Sequence, residues 1–408
     1  MIFRFLLAAA ALASLLPAQS EPPRVSPRDF AIMAWGGIPS KPELIRDMRN
    51  AGLNIAGFCN AADLDTIQSA GLHCFVSHPK MFVHEDGAIP DDGTLDEIFT
   101  DFKKTANHPA SLGIYLRDEP NMRMIPSLAK LAARVRKDLP GKWPYVNLFP
   151  TYVSRKVLGT DDYEHYVRQL LQPIDQPFLS WDNYALFANG EVRDYYYQNL
   201  AVFRKVSVES GRPFWNCILG QTLFNYMEPS DATFHFQVYS SLAYGARGIQ
   251  YFTYFAPSYG NFRQSAIDPF GNKTATWDMM RRMNNELHAL APTLVKLKST
   301  GVYHFPDVPR GEKGLEESQL VEKIGLRQSE LKLKSQGTAL VGEFVDDKQR
   351  PYLMLVNKDM TASYGVDITL KASGKKLIQV SPYTGKEMAF GGEMQWIAPG
   401  AGMLFRVE

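Results

Sequence analysis

Two adjacent carboxylates, Asp118 and Glu119, come directly after a short apolar run and are followed by Pro120. Neighbouring carboxylates repel one another when both are ionised, so we expect at least one of them to have a raised pKa. A carboxylic acid that keeps its proton near neutral pH can serve as a general acid. The alternative is structural, because Asp before Pro commonly begins a helix. The residues that separate this motif from the next helical pattern favour the chemical interpretation.

A third carboxylate, Asp182, ends another apolar run in the segment Ser180-Trp181-Asp182-Asn183-Tyr184. Flanking Trp and Tyr residues suit a sugar site, since sugar rings stack their C–H faces on aromatic rings. Two carboxylates, one acid and one nucleophile or base, are what hydrolysis of a glycosidic bond requires. The alternative for Asp182 is an Asx-turn at the end of a strand. We predict Glu119 as general acid/base and Asp182 as nucleophile or general base, with Asp118 orienting the site and tuning Glu119.

These residues belong to a regular alternation of strand and helix patterns. Eight apolar runs are each followed by an amphipathic segment of helical spacing. The runs are Phe30–Gly37, Leu53–Cys59, His73–His78, Leu112–Leu116, Tyr145–Phe149, Phe178–Asn183, Phe214–Gly220 and Gly248–Phe255. A (β/α)₈ TIM barrel takes about 250 residues, which fits a barrel over residues 28–300. An open doubly wound sheet is the alternative, but the glycine-rich phosphate turn that it calls for is missing from the sequence.

Active sites of such barrels gather at the carboxyl ends of the strands. Polar and aromatic residues at these ends are therefore candidates for substrate binding, by hydrogen bonds to hydroxyls or by stacking. They are Trp35, His78, Asn147, Trp181, Tyr184, Gln221, Tyr251 and Tyr254.

After residue 300 the alternation of strand and helix patterns ends. Residues 301–330 contain a stretch rich in Gly, Glu and Lys and are predicted as a partly exposed linker. Short strand patterns separated by turn residues fill positions 331–408, which we predict to form a small antiparallel β-sandwich.

The N-terminal residues 1–20 have the features of a cleaved signal peptide. Arg4 precedes an apolar run from Phe5 to Leu16, and small residues follow at Ala18 and Ser20. The run is too short to span a bilayer. We therefore expect a secreted or periplasmic protein without membrane insertion.

Composition and motifs exclude several other classes of function. The 408 residues carry 44 basic and 43 acidic side chains, a net charge of +1 that gives no footprint for nucleic-acid binding. No HExxH motif and no clustered His and Cys set is present, so neither a metal nor another cofactor is expected. Cys59, Cys74 and Cys217 each lie in an apolar run and are predicted to be buried as free thiols. One disulfide, which an exported protein could form, is the alternative, but three is an odd count.

The Asp-Glu-Pro motif at 118–120 and the stretch LAYGARGIQYF at 242–252 give the chain a resemblance to TIM-barrel glycoside hydrolases. The most similar group is the beta-galactosidase-like (family 42-like) barrels of the large retaining clan, which often carry an appended sandwich. The resemblance implies Glu119 as acid/base, with Asp118 in place of the clan's Asn. The clan's nucleophile is a Glu after the seventh strand, where this chain has Gln221. Glu228, farther along that loop, is an alternative to Asp182 as the second carboxylate.

The sequence thus predicts an exported glycoside hydrolase whose partner is an oligo- or polysaccharide substrate. Two alternatives stay open: a catalytically silent carbohydrate-binding barrel and a non-glycosidic enzyme on the same fold. The sugar, the stereochemical outcome and the oligomeric state do not follow from the sequence.

Overall fold

The computed structural model describes residues 21–327, 337–391 and 395–408. An eight-stranded parallel sheet forms the first part of the chain and confirms the predicted TIM barrel. Its strands are β1 Ala31–Ala34, β2 Ile55–Cys59, β3 His73–Val76, β4 Ser111–Asp118, β5 Trp143–Asn147, β6 Leu179–Asp182, β7 Phe214–Leu219 and β8 Gly248–Phe252. The predicted signal peptide, residues 1–20, lies outside the described residues.

The strands follow one another around the barrel in chain order. β1 pairs with both β2 and β8, and β5 and β6 are the two ends of the hydrogen-bonded sheet. A hydrogen bond from Leu148 N to Ser180 O (2.9 Å) joins these two ends just beyond β5. The carboxyl ends of β4, β5 and β6 therefore become neighbours.

Helices follow the strands and cover the outside of the sheet. In the helix Asp92–Thr105, for example, Leu95, Ile98, Phe99 and Phe102 form a buried apolar face, and Asp91 caps the first turn by accepting from Thr94 N. The helices are α1 Pro42–Asn50, α2 Leu64–Ser69, α3 Asp92–Thr105, α4 Ile125–Asp138, α5 Arg155–Leu158, α6 Tyr163–Arg168, α7 Tyr196–Ser210, α8 Asp231–Ala243 and α9 Ala275–Leu294. Short 3₁₀ helices occur at Ala61–Asp63, Met122–Met124 and Leu315–Glu317.

Alternate residues of the strands enter two separate cores, as the period of a β-strand requires. One set fills the barrel interior and includes Met33, Phe75, Tyr145, Phe178 and Trp215. The other set packs outward against the helices in the largest core of the protein. This alternation decides which strand-end residues can face the mouth of the barrel.

The C-terminal part is a two-sheet antiparallel sandwich, as predicted. The larger sheet has the order β15-β14-β17-β12-β11-β9, and the smaller has the order β10-β13-β16. Their strands are β9 Lys298–Phe305, β10 Val321–Arg327, β11 Ala339–Val345, β12 Pro351–Asn357, β13 Tyr364–Leu370, β14 Leu377–Val380, β15 Glu387–Ala389, β16 Trp396–Ile397 and β17 Gly402–Val407. The larger sheet packs its second face on the barrel helix α8, where Leu340, Phe344 and Met354 join the main core.

Two predictions are wrong at the level of the fold. The linker predicted at 301–330 begins inside β9 and contains β10, in which the exposed Glu322 and Lys323 separate the buried Val321 and Ile324. Cys59 and Cys74 are not free thiols: they lie on the adjacent strands β2 and β3, with Cα atoms 6.3 Å apart, and form a disulfide. Cys217 is free and buried, as expected.

Candidate active site

Asp118, Asn147 and Asp182 are the last residues of three neighbouring strands, β4, β5 and β6. Nδ2 of Asn147 donates to Oδ1 of Asp118 (3.2 Å) and to Oδ1 of Asp182 (2.9 Å). These two carboxylate oxygens therefore lie no more than about 6.1 Å apart, the sum of the two distances. Because Asp182 is far from Asp118 in sequence, only closure of the barrel brings the two acids together.

A buried hydrogen-bond chain fixes which way the Asn147 amide points. Ser180 Oγ donates to Asn147 Oδ1 (2.7 Å), so the NH₂ group must face the two aspartates. Gln250 Nε2 donates to the same Ser180 Oγ (2.9 Å), and Tyr145 OH donates to Gln250 Oε1 (2.6 Å). Each side chain in this series has at least one hydrogen-bond partner, as buried polar groups require.

Glu119 follows β4 in an unusual backbone conformation. Its φ is +45°, in the left-handed region that residues other than glycine rarely adopt and that costs about 1–3 kcal/mol. Its N–H still donates to Asn147 O (2.8 Å), and the next residue, Pro120, accepts a hydrogen bond from Tyr166 OH through its carbonyl (2.6 Å). In the described part of the chain, no side chain hydrogen-bonds the Glu119 carboxyl group, which is left for a ligand.

All three acids have pKa values above their usual range. Burial raises the pKa of Asp118 to about 6, although the Asn147 hydrogen bond and the Arg117 charge oppose it. Burial, and then the charge of Asp118, raises the pKa of Glu119 to about 7. Burial, followed by the charges of Glu119 and Asp118, raises the pKa of Asp182 well above its usual range. The cluster therefore retains protons near neutral pH.

The three carboxyl groups line one cavity of about 270 Å³ at the mouth of the barrel. Aromatic rings form much of its wall: Tyr184 stacks on Phe252 with ring centroids 5.5 Å apart and meets Tyr226 edge-on at 6.0 Å. Arg193 holds this wall in place, since its Nε donates to Tyr184 O (2.9 Å) and its guanidinium lies 3.9 Å from the ring centre of Tyr152. The remaining lining residues are Trp35, Asn147, Cys217, Leu223 and Phe224.

Of the predicted binding residues, Trp35, Asn147 and Tyr184 line this cavity and the other five do not. Trp181 stacks on Phe203 of α7 (3.6 Å), and Tyr251 OH donates to Asn284 of α9 (2.6 Å), because both residues point outward from their strands. Tyr254 OH accepts from Trp277 Nε1 (2.9 Å), again in the outer core.

The two remaining predicted residues are also bound elsewhere. His78 Nε2 lies 3.4 Å from Asp101 on α3, and its ring meets Phe102 edge-on. Gln221 is buried and accepts a hydrogen bond from Ser265. Glu228, the alternative second carboxylate, is on the surface, where it accepts a hydrogen bond from Gln264 (2.9 Å) and pairs with Arg263 (3.5 Å).

Sequence reasoning missed six lining residues: Tyr152, Cys217, Leu223, Phe224, Tyr226 and Phe252. Three of them lie in the loop after β7, where the aromatic residues of the segment LFNYM were the available signal. Burial and the nearby carboxylates raise the pKa of Cys217, so that its thiol stays protonated and is not suited to act as a nucleophile. Among the described residues, no set of His, Cys, Asp and Glu side chains is arranged to hold a metal ion.

No protein-family model matches the sequence, and no curated protein matches it either. Solved structures do match the fold. They include the beta-galactosidase from Bacillus circulans sp. alkalophilus, with a TM-score of 0.61, 9% identity, and coverage of 92% of this chain and 98% of that chain. A family 42 beta-galactosidase from G. stearothermophilus has a TM-score of 0.53, 8% identity, and coverage of 95% and 99%. A family 5 glycoside hydrolase from Bacteroides vulgatus has a TM-score of 0.53, 12% identity, and coverage of 93% and 88%.

This chain covers only 62% and 58% of the lengths of two further beta-galactosidases that it matches. At these low identities the likeness establishes the architecture: a TIM barrel that resembles those of family 42 and family 5 glycoside hydrolases. Separately, the described residues contain no helix that is both long and apolar enough to cross a membrane.

Proposed function

We propose that this protein is a glycoside hydrolase that cleaves an oligo- or polysaccharide. The observation that carries the proposal is the convergence of Asp118, Glu119 and Asp182 on one aromatic-walled cavity at the carboxyl ends of the barrel strands. That end of the barrel is where TIM-barrel enzymes place their chemistry. The structural likeness to glycoside hydrolases supports the same function.

Glu119 has the properties of the general acid. Its pKa of about 7 keeps a large fraction of the carboxyl protonated at neutral pH. It can therefore donate a proton to the leaving-group oxygen of the substrate, and no protein group competes for its carboxyl oxygens among the described residues.

Asp182 is the second carboxylate, acting as nucleophile or as base for a water molecule. Asn147 holds its Oδ1, whereas Oδ2 makes no hydrogen bond in the described structure and is free to react. The transition state of glycoside hydrolysis has oxocarbenium-ion character. Either role requires the ionised form of Asp182, which the Asn147 hydrogen bond favours against burial and the neighbouring charges. The ionised carboxylate then stabilises the positive charge of the transition state.

The cavity suits a small number of sugar units. Its volume of about 270 Å³ is near the lower end of small-molecule sites, which span roughly 300–1,000 Å³. Tyr184, Phe252 and Tyr226 offer apolar ring surface for stacking, while the acids accept hydrogen bonds from hydroxyl groups. The substrate class is therefore carbohydrate.

Export to the periplasm or the medium belongs to the same proposal. The signal-peptide pattern of residues 1–20 supports it, and so does the Cys59–Cys74 disulfide, since disulfides persist mainly in oxidising compartments.

The test is a product-detecting screen of the mature protein against α- and β-linked glycans, with three variants alongside. Glu119→Gln and Asp182→Asn should each lower the rate by about 10²–10⁴-fold, since proton transfer and the second carboxylate are lost. Glu228→Gln, a surface carboxylate in the next loop, should keep the wild-type rate. The anomer of the first product then distinguishes retention from inversion.

Two outcomes would contradict the proposal. Equal rates in wild type and Glu119→Gln would remove Glu119 from the chemistry. If no glycan is cleaved, yet sugars raise the melting temperature of the wild type and both variants alike, the barrel is a carbohydrate-binding protein without catalysis.

A further inference from the structure

A second cavity, of about 260 Å³, lies at the opposite end of the barrel from the candidate active site. It opens beside the amino ends of β7 and β8, against α7 and the first residues of β9. We call it the basic cavity, because four cationic side chains line it: Arg204, Arg212, Arg247 and Lys298. The basic cavity therefore lies between the barrel and β9, the first strand of the sandwich.

The charge in the basic cavity is not balanced. None of the lining residues in the described part of the chain is acidic. Arg212 is satisfied by Asp175 (2.6 Å) and by the carbonyl of Gln176. Arg204 and Arg247 form no ion pair among the described residues; Glu312 and Asp347 attract them only from a distance.

Arg204 and Arg247 also keep unused hydrogen-bond donors. Arg204 donates from Nε to Ser299 Oγ (2.7 Å), and Arg247 donates from one terminal nitrogen to Leu297 O (3.0 Å). Their remaining N–H groups have no protein acceptor in the described structure and are still reached by solvent. Burial lowers the pKa of both guanidinium groups, which is the effect of a charge that lacks a close counter-ion.

A guanidinium group presents its donors as a rigid planar fork that matches the oxygens of a phosphate, sulfate or carboxylate. A half-buried charge without a partner is unfavourable, and an anion in the cavity removes that penalty. The cavity volume of about 260 Å³ accommodates a tetrahedral oxyanion, alone or with part of the molecule that carries it.

We propose that the basic cavity is a binding site for a small tetrahedral oxyanion, phosphate or sulfate, held by Arg204 and Arg247. The oxyanion is either a free ion or an ester group on a carbohydrate, since both present the same oxygens. Because the cavity contacts α7 and β9, a bound anion ties the barrel to the sandwich and stabilises the folded state.

Calorimetric titration of the mature chain with sodium phosphate and with sodium sulfate tests the proposal, with sodium chloride holding the ionic strength constant. We expect saturable binding of one ion per chain, accompanied by a rise in melting temperature that chloride alone does not give. Arg204→Gln and Arg247→Gln should each weaken binding at least about tenfold, in line with the loss of a charged hydrogen-bond donor. Arg155→Gln removes an exposed arginine that pairs with Asp161 (3.5 Å) and should leave the affinity unchanged.

Absence of saturable binding by either ion to the wild-type chain would overturn the proposal without reference to any variant. Equal affinity in wild type, Arg204→Gln and Arg247→Gln would overturn it as well. A parallel titration with glucose 6-sulfate identifies the source: tighter binding than free sulfate indicates a sulfated carbohydrate, and weaker binding indicates a free ion. The readout is binding rather than turnover, so the result is independent of the proposed hydrolase activity.

Discussion

The side-chain nitrogen of Asn147 lies 2.9 Å from Oδ1 of Asp182 and donates a hydrogen bond to it. The same nitrogen also donates to Asp118, so one amide stands between two acids that would otherwise repel each other directly. Ser180 Oγ fixes the orientation of this amide by donating a hydrogen bond to Oδ1 of Asn147 (2.7 Å). Asn147 is therefore a positioning residue that sets both the spacing of the two acids and their readiness to ionise.

Asn147→Ala removes the donor that favours the ionised form of both aspartates. We expect kcat to fall by about 10²–10³-fold, the size of effect seen when one charge-stabilising donor is lost. The pKa of Asp182 should rise further, which moves the acid limb of the pH–rate profile to higher pH. Asn189→Ala, at an exposed asparagine, serves as the control. A lower rate with an unshifted profile would mean that Asn147 acts only on structure.

Glu119→Gln should stabilise the protein at alkaline pH while it removes activity. The native pKa of Glu119 is about 7 against a usual value of 4.5, so the folded state binds more protons than the unfolded state between these values. The free energy of unfolding of the wild type therefore falls as the pH rises through this window. The amide introduced by Glu119→Gln does not ionise, so the variant does not lose stability as the pH rises. At pH 8 its free energy of unfolding should exceed that of the wild type by about 1–3 kcal/mol, since one pKa unit corresponds to about 1.4 kcal/mol.

Urea unfolding of both proteins at pH 4 and pH 8 measures this difference. At pH 4 the Glu119 carboxyl group is mostly protonated in both the folded and the unfolded wild type. The difference in unfolding free energy between Glu119→Gln and the wild type should therefore shrink toward zero. Glu228→Gln, which removes a surface carboxylate outside the cavity, is the matched control for the loss of one negative charge. A gain of equal size at both pH values would mean that relief of charge repulsion is not its cause.

Phe224 tests whether the aromatic wall binds the substrate. Its side chain lines the cavity but is 69% exposed, so Phe224→Ala should change stability little. Loss of a stacking surface worth about 1 kcal/mol should raise KM roughly fivefold and leave kcat unchanged. Phe270→Ala removes a ring that is 89% exposed and outside the cavity, and its KM should equal that of the wild type. An unchanged KM in both variants would place the sugar away from this wall.

The position of the acids could be predicted from the sequence, because the end of each strand is marked by the step from apolar to polar residues. Asp118, Asn147 and Asp182 were found in this way, and the barrel then dictates that strand ends share one rim. The alternation of side chains along each strand also predicts which strand-end residues face the helices instead of the cavity. Since Asp182 faces the barrel interior, its neighbour Trp181 must face the helices, and the same rule applies to Tyr251 beside Gln250.

Other features depend on contacts that no local pattern shows. The disulfide requires Cys59 and Cys74 to meet across β2 and β3, which depends on strand register. The strands within the predicted linker were hidden by their charged, solvent-facing residues. Tyr152 and Phe224 lie in loops, whose path over the barrel mouth is set by tertiary contacts such as that of Arg193 with Tyr152.

The disulfide predicts how many reactive thiols the unfolded protein exposes. Unfolding without reductant should expose one reactive thiol, from Cys217, and unfolding with reductant should expose three. Replacing both Cys59 and Cys74 by Ser opens a loop with a sequence separation of 15 residues. This change should lower the free energy of unfolding by about 3 kcal/mol. Three reactive thiols in protein purified from the periplasm or medium without reductant would contradict the pairing.

The contact between the barrel and the sandwich predicts that Gly342 cannot be replaced by a residue with a side chain without loss of stability. Gly342 of β11 lies against α8, and a Cβ atom there would come within 2.2 Å of the carbonyl oxygen of Ala243. Because that atom belongs to the backbone of a buried helix, it cannot move aside as a flexible side chain could. Gly342→Ala should therefore lower the free energy of unfolding by about 1–3 kcal/mol. Gly37→Ala places its new methyl group in open space and should change it by less than about 1 kcal/mol. If Gly342→Ala unfolds at the wild-type urea concentration, the sheet does not pack on α8 as closely as described.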